Sequence, residues 1–192
     1  MHARPVVGGL FIKMLTDAEA WKKWSAGDRL HAGNWAPLPT PPKITEIVPS
    51  SRLTPSDWRY TTEKPGKNWA QPNFDAANWQ EGPAGFGTVA PGAVVRTKWN
   101  TPDIWVRRQF VMPSIPASNL KFQVFHDEDV EIYVNGILAA SEGGFTTSYV
   151  LLDVEPEAQN LLKPGAHITL AAHCHQTIGG QNIDIGLVDA GK

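Results

Sequence analysis

The chain has 192 residues, 42% of them hydrophobic and 19% charged, with a formal net charge of -2. That is enough apolar material for one ordinary domain plus a smaller appendage, and without a basic block it argues against nucleic acid as a main partner. No run approaches the roughly 18 apolar residues of a membrane span, and the single cysteine, Cys174, excludes an internal disulfide.

In chain order, MHARPVVGGLFIKML does not read as a signal peptide, because Gly8, Gly9 and Lys13 interrupt its apolar stretch and no small-residue cleavage site follows. Any export signal would lie upstream of Met1. Thr16 or Asp17 can cap a helix, with Glu19 in its first turn and Ala20, Trp21 and Trp24 at helical spacing, and Gly33 and Asn34 end it. This helix is too short to bury its own apolar face, so it must dock on the following domain or on a domain outside this chain. Pro37, Pro39, Pro41 and Pro42 then form an extended, semi-rigid linker. The predicted division is a helical segment with its linker over 1–42 and one domain over 43–192.

Beyond Ser50 the pattern is β. Strands are predicted at 58–65, 104–112, 120–127, 130–141 with a hairpin turn at Asn135-Gly136, 149–154, 167–175 and 183–190. Residues 161–167 read as a turn leading into a strand. Many short strands without an alternating helix series predict a mainly β fold, a sandwich or jelly roll. Within HITLAAHCH, Ile168, Leu170, Ala172 and Cys174 fall on one face, and His167, Thr169, Ala171, His173 and His175 on the other. Cys174 therefore reads as a buried core thiol, since its histidine neighbours point away from it and cannot act as its base.

His173 and His175 share a face at a spacing that metal sites use, and HDED (126–129) could add His126, Asp127 or Asp129. No zinc or EF-hand spacing is present. No cofactor is expected, with calcium at a sandwich loop left open. The paired acids of HDED also suit glycoside hydrolysis, but acids in a tight turn between strands more often cap and solvate it. Trp79 and Trp105 read as core or plug residues. Trp69 and Trp99 lie in polar loop contexts, where an indole ring can stack on the C–H face of a sugar while Asn68, Gln71, Asn100 and Asp103 bind its hydroxyls.

The segments NWAQPNFDAANWQEGPAGFGT, IWVRRQFVMP, FHDEDVEIYVNG and LLKPGAHITLAAHCHQ resemble the galactose-binding-like jelly roll over about residues 50 to 190. Modules of that kind accompany many glycoside hydrolases, and some are purely structural. The first 40 residues, RPVVGGLFIKMLTDAEAWKKWSAGDRLHAGNWAPLP, resemble the end of the six-hairpin catalytic domain of the glutaminase A family. That resemblance implies the tail of a larger, secreted-type hydrolase, extracellular or periplasmic through its parent. It carries no catalytic residue onto this chain. The expected function is a non-catalytic carbohydrate-binding accessory module, whose partner is a glycan or the parent's catalytic domain. The alternatives are a structural domain packed on the catalytic toroid, and a stand-alone hydrolase using HDED and the histidines.

Overall fold

A computed structural model describes residues 43–88, 91–114 and 117–191. The predicted N-terminal helix and proline linker lie outside the described residues. The alternation read in HITLAAHCH becomes strand β11 (His167–His175), at the centre of one sheet. It pairs antiparallel with β6 (Asp103–Val111) from His167↔Val111 to His175↔Asp103. On its other side it pairs with β8 (Asp129–Val134), from Leu170↔Val134 to His175↔Asp129. The sheet is completed by β2 (Asp57–Thr61) and β3 (Gln80–Pro83) outside β6, and by β9 (Ile137–Glu142) outside β8, in the order β3-β2-β6-β11-β8-β9. We call this the front sheet.

The back sheet is built on β7 (Leu120–Asp127) and β12 (Asn182–Gly191), which pair antiparallel from Asn182↔Asp127 to Asp189↔Leu120. Strand β10 (Val150–Asp153) lies outside β7. The other side of β12 takes β4 (Phe86–Gly87), followed by β5 (Thr97–Lys98), and also β1 (Lys43–Val48). One short helix, α1 (Pro156–Gln159), carries the chain from β10 toward β11. The result is a two-sheet β-sandwich, as the strand pattern predicted.

The core lies between the sheets. Ile168, Leu170, Ala172 and Cys174 of β11 meet Ile104 and Val106 of β6 and Ile132 of β8, facing Phe122 and Val124 of β7 and Ile183, Ile185 and Leu187 of β12. Each fully buried Leu, Ile or Phe stabilises the fold by about 1.5–3 kcal/mol of transfer free energy. The Asn135-Gly136 turn joins β8 to β9 with φ of 49° and 84°, the left-handed pair that a two-residue hairpin needs.

Residues 43–48, where no strand is predicted, form β1. Its side chains are mostly exposed on both faces, so no apolar alternation marks it, and the backbone ladder to β12 alone makes it a strand. The two-residue β4 and β5 are too short to show an alternation, and β3 is polar.

The outer face of the front sheet is not bare. Residues 62–79 run over it as linked turns, with Trp69 N–H bonded to Gly66 O (3.0 Å), Gln71 N–H to Asn68 O (2.9 Å) and Phe74 N–H to Gln71 O (3.2 Å). Arg107 pins them by donating Nη1 to Trp69 O (2.5 Å) and Nη2 to Gln71 O (3.3 Å). Thr169 and Ala171, on the polar face by parity, are therefore fully buried.

Candidate binding face

Beyond this covering segment, the outer face of the front sheet carries a row of polar side chains set by strand register. Trp105 of β6 stands opposite His173 of β11, which stands opposite Glu131 of β8. The Trp105 ring lies flat on the His173 imidazole, centroids 4.7 Å apart and planes 8° apart. One carboxylate oxygen, Asp103 Oδ1, accepts from both imidazoles, His173 Nε2 at 2.7 Å and His175 Nδ1 at 2.9 Å. The other nitrogen of His173 faces Glu131 Oε2 at 3.6 Å, and Tyr133 donates its hydroxyl to that same oxygen at 3.0 Å. Trp69 closes one side, packed edge-to-face on Tyr133 with centroids 5.4 Å apart.

Burial pulls the Asp103 carboxyl upward, but the hydrogen bonds from His173 and His175 and their charge outweigh it and hold it below the usual carboxylate range. Burial, and then the neighbouring Glu131, push the Tyr133 hydroxyl up to about 12, so it stays a donor at neutral pH. Asp103 is also fixed through its backbone, because its carbonyl accepts from Trp99 Nε1 (3.2 Å) and Thr101 Oγ1 (3.0 Å). Gln181 Nε2 in turn donates to Thr101 O at 3.0 Å. The face thus presents acceptors (Asp103, Glu131), imidazoles and a phenol between two aromatic walls.

The structure corrects the placement of one sequence candidate. Trp99 is 1% exposed and sits in the core, its indole N–H bonded to Thr101 Oγ1 at 2.9 Å, so it has no ring face to offer a ligand. The polar residues around it suggested a loop surface, but its ring turns inward beneath them. Trp69 is half-buried in a T-shaped contact with Tyr133, and Asn68, Gln71 and Asn100 are exposed. The Gln71 side chain lies over Gly136 at the β8–β9 turn. Asp103 joins the histidine row. The row itself was missed: DIW and AHCH show the right parity, but only their pairing brings Trp105, His173 and Glu131 side by side.

The metal candidates separate. His173 and His175 share Asp103, whereas His126 is on the back sheet, 1% exposed, with Nδ1 donating to Glu128 O at 2.6 Å. Among the described residues, no three His, Cys, Asp or Glu side chains gather as a metal would require. In HDED, Glu128 accepts from Thr177, and Asp129 Oδ1 accepts from Gly144 N–H at 2.8 Å. Burial and the Glu128 charge raise the Asp127 carboxyl. Cys174 is buried with Sγ 3.9 Å from Asn182 O, and burial pushes its thiol well up, the opposite of an activated nucleophile.

No family model and no curated protein matches the chain. Among solved structures, the β-glucuronidase of Ruminococcus gnavus in complex with D-glucaro 1,5-lactone superimposes with a TM-score of 0.52 at 11% identity, covering 81% of this chain and 31% of that one. The same enzyme with uronic isofagomine gives 0.52 at 12% identity, covering 81% and 30%. This chain's β-sandwich shares its fold with part of these enzymes. At this identity the likeness is one of fold alone. It fits a galactose-binding-like module, and nothing in it supports the glutaminase A resemblance. The chain spans less than a third of the length of these enzymes.

Proposed function

We propose that this chain is a non-catalytic carbohydrate-binding accessory module of a larger hydrolase, glycosidase-like or glutaminase A-like, acting outside the cytoplasm through that parent. The observation that carries this reading is the outer face of the front sheet. Trp69 and Tyr133 form an aromatic wall beside an array of half-exposed acceptors and imidazoles, the combination that a sugar's C–H face and hydroxyls require. The fold shared with enzymes that process glycosides supports the reading.

Tryptophan fluorescence and calorimetric titration against neutral mono- and polysaccharides, with calcium and with chelator, test it. A saturable response to one glycan class is expected. Trp69→Ala should weaken it about tenfold, the loss of one aromatic contact of about 1.5 kcal/mol. A flat response across the panel would refute glycan binding and favour a domain that only packs against its parent enzyme.

A further inference from the structure

On the other side of the 62–79 segment, a groove of 550 Å3 opens over β3, β2 and β6. Its floor is a row set by register: Glu81 opposite Arg59, and Arg59 opposite Arg107. Like charges directly opposed across strands destabilise a sheet. Glu81 answers only one of them, lying 3.7 Å from Arg59. Arg107 is 3% exposed, and among the described residues no carboxylate pairs with it. Its partners are two backbone carbonyls and the Phe74 ring, whose centroid is 5.5 Å from Cζ. A buried guanidinium without a counter-anion is costly. Burial lowers the Arg107 pKa, as expected for a cation held in this way.

The groove has two further carboxylates. Asp75 accepts the Ala77 N–H through Oδ1 at 2.8 Å, and Asp57 lies two residues before Arg59 on the same strand face. Asp75 Oδ2 and the Asp57 carboxylate remain to accept hydroxyl protons.

We infer that this groove binds an acidic sugar, its oxyanion held between Arg59 and Arg107 and its hydroxyls by Asp57 and Asp75. The inference rests on the glycan-binding reading and names the ligand class as an anionic glycan. A carboxylate or sulfate ester between two guanidiniums takes forked, charge-assisted hydrogen bonds, which a neutral sugar cannot. The volume suits about one monosaccharide unit within the usual range for small-ligand sites. Phe74 supplies the apolar wall.

The test is calorimetric titration of the whole chain with trigalacturonate, its fully methyl-esterified counterpart and a sulfated galactose trisaccharide. At least one acidic probe is expected to bind tenfold or more tightly than the neutral ester, and which of the two does so names a carboxylate or a sulfate ester. Raising salt should erode the preference. Arg59→Gln should abolish the discrimination between acid and neutral ester. Arg59→Lys, which keeps the charge without the fork, should restore part of it. Arg59 also donates to Ala76 O (3.2 Å) and Ala77 O (3.3 Å), so circular dichroism melts accompany both variants. If Arg59→Gln melts early, Arg59→Lys alone is read, and its discrimination should fall below that of the parent. Equal affinity for acid and ester, no binding of either acid, or discrimination that survives the Gln variant would overturn the inference. The glycan-binding reading fails separately, when neutral-sugar binding is absent or indifferent to Trp69→Ala.

Discussion

Replacing Trp99 by Ala separates a core tryptophan from a ligand-stacking one. The ring is 1% exposed within the hydrophobic core, and its N–H serves Thr101 Oγ1 and Asp103 O. Truncating a buried aromatic to Ala costs about 3–5 kcal/mol, a large share of the roughly 5–15 kcal/mol that holds a domain folded. At about 3 °C per kcal/mol for a domain of this size, the midpoint should fall by about 10–15 °C. Trp99→Phe keeps most of the buried area and loses the indole hydrogen bonds, for about 1–2 kcal/mol. Thermal unfolding followed by far-ultraviolet circular dichroism gives both values, and titration of the Phe variant should show glycan affinity retained. A Trp99→Ala protein that melts within about 2 °C of the parent would refute this account of the site. So would a stably folded Phe variant that loses binding.

Asp103 titrates below its ordinary value in the folded chain, so it contributes stability above about pH 4 that is lost as pH falls through its lowered folded pKa. The midpoint difference between the parent and Asp103→Asn should be full at neutral pH and close in acid; a difference that grows in acid would contradict the hydrogen-bonding to His173 and His175. Asp184, 1% exposed, accepts the Tyr149 hydroxyl (2.5 Å) and the Ser51 N–H (3.1 Å), so Asp184→Ala should cost about 2–4 kcal/mol in urea unfolding by leaving both donors unpaired. Cys174 should resist thiol reagents in the native chain and react only at the rate of unfolding. Gly87 has φ of 154°, and a Cβ there would lie 2.1 Å from Gln181 O, so Gly87→Ala should lower the melting midpoint sharply by parting β4 from β12.

Local pattern in the sequence determined more than half of this sandwich. Period-two alternation placed β7 and β11 at their observed limits and put Cys174 in the core with Ile168 and Leu170. Asn135-Gly136 specified its hairpin, because few residue pairs tolerate two left-handed conformations in succession. These features are legible because each depends on neighbours in the chain. The tertiary structure decided the rest. Strand β1 exists because β12 offers it a ladder, not because its side chains ask for a sheet. Trp99 and Trp69 sit in similar polar contexts, and only packing sent one into the core and left the other against Tyr133. The Asp103–His173–Glu131 row and the Arg59–Arg107 pair each span strands far apart in sequence. Their meeting is a property of register, which no local signal carries.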